Sequence, residues 1–234
     1  MASVLLDFNN KLGDHLICNG LVREYCRRFE RVGIFCIPRY AASVSFMFRD
    51  LTNLSVETVK DHRRKQYFLL RHRLRLTARH YDGVKTIYND TETGIVAERQ
   101  FYGLAGVPHE KKWSSFYVPR DKEREEEFFR RVAGDGPYVF VHDDRIYGGG
   151  IDPHKLPPGT RVVRANPKLT GNIFDYGLVI ERAREVHAVD SVFMFLADLL
   201  VYDTPAQKLV VHRYARQNPP WNLPVLKKHW TILA

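Results

Sequence analysis

Residues 174–200, FDYGLVIERAREVHAVDSVFMFLADLL, decide the fold. Leu178, Val179, Ala183 and Val186 recur at helical spacing, with Glu181, Arg182, Arg184 and Glu185 on the polar side, so the stretch opens as a helix. His187-Ala188-Val189 is a short run suited to a buried strand. Asp190-Ser191 stands where that strand must end. Residues 192–200 are almost wholly apolar, as expected of a buried helix capped by Asp190 or Ser191. A strand that ends in Asp-Ser and opens straight into a helix aims backbone N–H groups and the positive end of a helix dipole at one spot. Such a spot suits phosphate. An ordinary β-α unit whose cap binds nothing is the plain alternative.

The same alternation extends outward. Upstream, residues 161–165 and 138–142 read as strands separated by a loop at 143–160, and downstream residues 208–212 form another strand before a Pro-rich tail. Near the start, residues 2–8, 32–37, 54–59 and 84–88 read as strands. Helices are expected at 14–28, with Leu16, Ile17, Leu21, Tyr25 and Phe29 inward, and at 41–51 and 66–76. A short helix at 98–106 ends at Gly106 and Pro108, residues 113–118 look extended, and 120–132 is a charged helix with Phe128, Phe129 and Val132 inward. A composition break near 119–137, which includes Ala133-Gly134-Asp135-Gly136-Pro137, divides two similar halves, 1–118 and 119–234. The expected class is therefore α/β, with two small Rossmann-like domains facing a central cleft.

The chain has 234 residues, 44% of them apolar and 12% aromatic, enough for a real core and against global disorder. No run approaches the roughly 18 apolar residues of a membrane span. The first residues, MASVLLDFNNKLGDH, carry no basic region and meet Asp7 too early for a signal peptide. Cys18, Cys26 and Cys36 match no zinc or redox spacing, so they read as reduced thiols of a cytoplasmic protein. The net charge is +9, and much of it lies in residues 62–80, HRRKQYFLLRHRLRLTARH. Arg63 and Arg64, with Tyr67 and Phe68 nearby, suit a nucleic-acid backbone, a sugar diphosphate, a phosphorylated glycan or an anionic membrane, or simply a solvated helix face. The α/β rhythm explains the chain without a nucleic-acid module.

Ligands of open α/β sheets bind outside the carboxyl ends of the strands. The residues expected there are 9–15 in the first half, and 142–150, 166–167 and 190–191 in the second. Gly148-Gly149-Gly150 runs into Pro153 and Pro157-Pro158, so it is neither a dinucleotide fingerprint nor a P-loop; a mobile loop is expected. Asp143-Asp144 can hold a divalent cation or cap its loop. Asp14, at a helix start, is the candidate general base, competing with a role as cap. Arg145 and Arg213 offer forked donors for a diphosphate.

Gly13-Asp14-His15-Leu16-Ile17 resembles the N-terminal Gly-Asp turn of the heptosyltransferase-like glycosyltransferases. Glu181, Val186-His187-Ala188-Val189-Asp190-Ser191 and Leu196 resemble their donor-side segment, an acidic residue on a helix followed by a strand ending in Asp-Ser or Asp-Thr. His142-Asp143-Asp144 and residues 212–216, HRYAR, also resemble small glycosyltransferase-like proteins of viruses and bacteria. The pattern departs at Val192, where the family has Gly, and at residues 193–196, where it has a His.

The resemblance implies the GT-B architecture, with an acceptor-side domain at 1–118 and a nucleotide-sugar domain at 119–234. It also implies inverting transfer without metal or other cofactor, from a nucleotide-diphosphate sugar to a glycan, glycoprotein or lipid-linked acceptor. Asp14 would be the base, Ser191 with the following amides would hold donor phosphate, and Glu181 would contact the donor ribose or base. The full set of donor-side candidates is His142, Asp144, Arg145, Glu181, Asp190, Ser191 and Arg213; the acceptor-side candidates are His15, Arg63 and Arg64. A transferase holding a metal on Asp143 and Asp144, and a nucleic-acid binder using residues 62–80, are the alternatives.

Overall fold

A computed structural model describes residues 2–8, 11–59, 77–88, 95–143, 150–202, 204, 206–215 and 222–234. They divide into two compact units, Met1–Pro119 and Arg120–Ala234. In the first, strands β1 (Ser3–Phe8), β2 (Arg31–Cys36), β3 (Leu54–Thr58) and β4 (Gly83–Ile87) form a wholly parallel sheet in the order β3-β2-β1-β4. β1 and β2 are central and buried on both faces, which is why they read as near-continuous apolar runs. Pro38 opens a 3-10 turn, Pro38–Tyr40, immediately after β2, and α3 (Ala41–Met47) follows.

Residues 12–28 form two helices, α1 (Leu12–Ile17) and α2 (Asn19–Arg28), where periodicity predicts one. The Tyr102 hydroxyl causes the break. It donates to the Ile17 carbonyl (3.0 Å) and accepts from the Leu21 N–H (3.2 Å), the two groups that would bond each other in an unbroken helix. Tyr102 comes from α4 (Ala97–Ala105), which ends at Gly106 in the left-handed conformation, φ 64°. The extended segment expected at 113–118 is instead a short helix, α5 (Lys111–Ser114), running into irregular chain. Gly20 lets α2 approach it: a Cβ there would lie 2.0 Å from the Lys111 carbonyl oxygen. Buried Arg23 reaches Asp50 through both terminal nitrogens (2.8 and 2.9 Å), tying α2 to the chain after α3.

The second unit opens with α6 (Lys122–Val132), capped by Asp121, whose side chain accepts from the Arg124 N–H at 3.1 Å. Its buried Phe128 meets Tyr176 edge-on at 4.8 Å. Strands β5 (Tyr138–His142), β6 (Arg161–Arg164), β7 (Glu185–Ala188), β8 (Lys208–His212) and β9 (Thr231–Leu233) form a second parallel sheet, ordered β6-β5-β7-β8-β9. Strand β9, in the tail, has no counterpart in the sequence reading. The helix expected to carry Val186 is only a 3-10 turn (Ile173–Tyr176) and α7 (Gly177–Glu181). Val186 belongs to β7, because the chain turns at Arg182 and pairs with Tyr138 from Arg184 onward.

Helix α8 (Val192–Leu199) follows as expected, buried along most of its length. At its far end, buried Asp198 accepts from the backbone N–H groups of Lys227 and Lys228 (3.0 Å each) and from Trp230 Nε1 (3.1 Å), which fastens the tail beside β8. Lys228 Nζ caps the helix, donating to the carbonyls of Ala197 (2.6 Å) and Leu200 (2.9 Å). No helix among the described residues is long and apolar enough to cross a membrane.

Candidate functional site

In the first unit, the carboxyl end of β1 delivers the chain into α1. Asp14 is the third residue of that helix, and Lys11 occupies the cap position, so Asp14 is not the N-cap the sequence allowed. The carboxyl is half-buried. Burial pushes its pKa up to about 6, against the opposing pull of the Lys11 charge and a hydrogen bond from the Lys11 backbone. A carboxylate poised there is suited to taking a proton near neutral pH.

His15, the expected acceptor-side contact, lies in the core of the first unit. It is fully buried, packs edge-on against Phe8 at 5.2 Å, and burial lowers its pKa to about 3, so the ring is neutral. Neither ring nitrogen has a hydrogen-bond partner among the described residues. Arg63 and Arg64, with the helix expected at 66–76, lie outside the described residues, as do Asn9 and Asn10.

Asp7 was not singled out by sequence. It is buried near the carboxyl end of β1, its pKa is raised by burial, and it accepts from the Tyr88 hydroxyl at 2.7 Å. A charged residue inside the apolar run VLLDF was the available signal.

In the second unit the carboxyl ends of β5, β7 and β8 carry four sequence-predicted residues. His142 ends β5, Asp190 and Ser191 follow β7, and Arg213 begins the 3-10 turn Arg213–Ala215 after β8. Ser191 sits at the cap position of α8, yet its side chain makes no cap bond. Its hydroxyl pairs with His142 Nδ1 at 2.8 Å, and the His142 ring packs on Phe193 at 4.6 Å. Asp190 is buried beside them. Asp143 accepts from Arg164 at 2.9 Å, while Asp144 and Arg145 lie outside the described residues. The same holds for Gly148 and Gly149 of the expected mobile loop. The described residues contain no group of three or more His, Cys, Asp or Glu placed to hold a metal.

Two all-parallel sheets, each presenting polar residues at strand carboxyl ends, can be set against known folds. No protein-family model and no curated protein matches the sequence. Among solved structures, the chain is similar to ADP-heptose lipopolysaccharide heptosyltransferase II of E. coli, over 100% of this chain and 90% of that one, at 10% identity and a TM-score of 0.48. It is also similar to TibC, an iron-containing dodecameric glycosyltransferase of enterotoxigenic E. coli H10407, at 11% identity and a TM-score of 0.51. That alignment covers 89% of this chain and 59% of TibC, so the chain spans about three-fifths of that protein. The fold is GT-B-like. At these identities the likeness is one of fold alone.

Glu181, the expected donor contact, lies in an ion-pair network. Its carboxylate accepts from Arg120 (2.7 Å) and Lys122 (3.2 Å), and Arg120 also pairs with buried Glu125. Glu181 ends α7, from which the chain enters the amino end of β7, whereas Ser191 follows its carboxyl end. The length of the strand separates the two residues, and cationic partners already neutralise Glu181.

Proposed function

We propose that the chain is a glycosyltransferase that moves a sugar from a nucleotide-diphosphate sugar to a hydroxyl on a glycan, glycoprotein or lipid-linked acceptor. The observation that carries the reading is the Asp14 carboxyl, half-buried in the first turn after β1 and poised at about 6. The GT-B-like fold supports the reading by analogy. Asp14 removes the acceptor proton as the hydroxyl oxygen attacks the anomeric carbon. The bond from that carbon to the diphosphate oxygen breaks with inversion, and its electron pair leaves with the nucleoside diphosphate. Ser191, the first N–H groups of α8 and Arg213 are suited to stabilise that charge without a metal, and Arg145 is the further candidate by sequence. His142 supports Ser191 through the 2.8 Å bond. The three free thiols suit a reducing compartment, the cytoplasm.

The test is a thermal-shift screen with nucleoside diphosphates and nucleotide sugars, followed by a transfer assay. A ligand at 100 times its Kd adds about 2.7 kcal/mol of apparent stability. Asp14→Asn is expected to lower turnover about 10²- to 10⁴-fold while leaving donor binding intact. Wild-type activity is expected to rise with pH through about 6 and to survive EDTA. Unchanged turnover in the variant removes Asp14 as the base. Loss of activity in EDTA, restored by Mn²⁺ or Mg²⁺, shifts leaving-group stabilisation to a divalent cation that Asp143 and Asp144 would hold.

A further inference from the structure

Beneath the carboxyl edge of the second sheet lies a chain of buried polar side chains that the proposed reaction leaves unused. Glu185 and His187 lie on β7 and His212 ends β8, all of them buried. His187 Nε2 is 3.1 Å from Glu185 Oε2, and His187 Nδ1 is 2.9 Å from His212 Nε2. His212 Nδ1 is 3.0 Å from the Tyr214 hydroxyl, which accepts from the Asp152 N–H at 3.2 Å. At the other end Lys208 Nζ approaches Glu185 Oε1 at 3.5 Å.

With both rings neutral, one arrangement of protons satisfies every link. A carboxylate can only accept, so His187 donates to Glu185 from Nε2 and accepts on Nδ1, while the Tyr214 oxygen accepts from the Asp152 N–H and its own proton goes to His212 Nδ1. His212 must then carry its proton on Nε2 and donate to His187 Nδ1, and His187 Nε2 donates to the Glu185 carboxylate. Both rings are neutral in this scheme, and burial lowers the pKa of each, that of His212 to about 4. Reversing one tautomer sets two donors or two acceptors face to face inside the core.

Arg213 stands between His212 and Tyr214, the last two members of the relay. Tyr214 also packs with the apolar cluster of Ile151, Val189 and Ala215, at the end of β7 that leads to Ser191. We propose that the Glu185–His187–His212–Tyr214 relay is the positioning device that fixes the Arg213 turn and the chain at Asp152 for binding a diphosphate at the carboxyl edge. The inference rests on the donor-site reading above, with Tyr214 and His212 acting through Arg213 as positioning residues.

The experiment is a double-mutant cycle read by calorimetric titration with inorganic pyrophosphate. Arg213→Ala and Tyr214→Phe should each weaken binding about tenfold, the size of one charge-assisted hydrogen bond, and the double variant should bind no worse than Arg213→Ala. Wild-type affinity in Tyr214→Phe, or additive losses in the double variant, overturns the relay and leaves the anion site standing. Wild-type affinity in Arg213→Ala removes Arg213 from the donor site and the relay's role with it. No pyrophosphate binding by the wild type defeats the donor-site reading and the inference together. Imidazole nitrogen shifts of the wild type give an independent check: both rings should be protonated on Nε2 and bare on Nδ1. The opposite tautomer on either ring refutes the relay.

Discussion

Replacing Asp14 by Asn should make the protein more stable. The carboxyl has a folded pKa of about 6 against an ordinary 3.8, so the unfolded chain holds the ionised form more comfortably than the native protein does. The native state therefore carries no penalty below 3.8, a growing one between 3.8 and 6, and the full one above about 6. The whole shift corresponds to about 3 kcal/mol at 1.36 kcal/mol per unit, and solvent screening of a half-buried group trims this to about 1–2 kcal/mol. An Asn oxygen still accepts from the Lys11 backbone, so the substitution removes mainly the charge. Urea denaturation of wild type and Asp14→Asn at pH 7.5 and pH 4 measures the effect. The variant should be more resistant at pH 7.5, and the two should converge at pH 4. A variant that is equal or weaker at pH 7.5, or a gain that persists unchanged into acid, would refute the reasoning.

Three further outcomes follow from the geometry. Asp198→Ala strands two backbone N–H groups and the Trp230 indole N–H, costing about 3 kcal/mol, and hydrogen exchange at Lys227 and Lys228 should accelerate. Gly20→Ala places a methyl 2.0 Å from the Lys111 carbonyl oxygen and should cost about 2–3 kcal/mol in urea denaturation, because backbone rather than a flexible side chain must move. His15 and His212, with folded values of about 3 and 4 against 6.5, contribute stability that is present above pH 6.5 and lost as pH falls toward those values. Titration at pH 5 should show unfolding taking up about two protons from this pair, offset by about one released from Asp14.

Much of this fold was legible because parallel strands buried on both faces leave uninterrupted apolar runs; β5 and β8 were read to the residue. What escaped reading depends on partners distant in the chain. The break between α1 and α2 is made by a hydroxyl 81 residues from Leu21, and no local propensity encodes it. Val186 matches a helical face as well as a strand, and its pairing with Phe140 decides between them. Strand β9 is three residues long and exists through β8 and the Asp198 anchor. At the candidate site, His142 and Ser191 were each legible as residues at strand ends, but their mutual bond spans 49 positions. Glu181 looked like a ligand contact because an acidic residue in that position matches a motif. Its capture by Arg120, 61 residues upstream, is a tertiary fact.

The edge position of β9 bears on how the protein is made. The first unit has all its strands once residue 119 has left the ribosome, so it can close while the rest is being translated. The second cannot: Asp198 is synthesised 29–32 residues before the N–H groups that satisfy it, and β8 waits for β9. At about 5–20 residues per second, that leaves a buried-to-be carboxylate and an open sheet edge exposed for seconds on the nascent chain. A chaperone that engages this protein during synthesis should therefore hold the second half, and release it only after Thr231–Leu233 emerges.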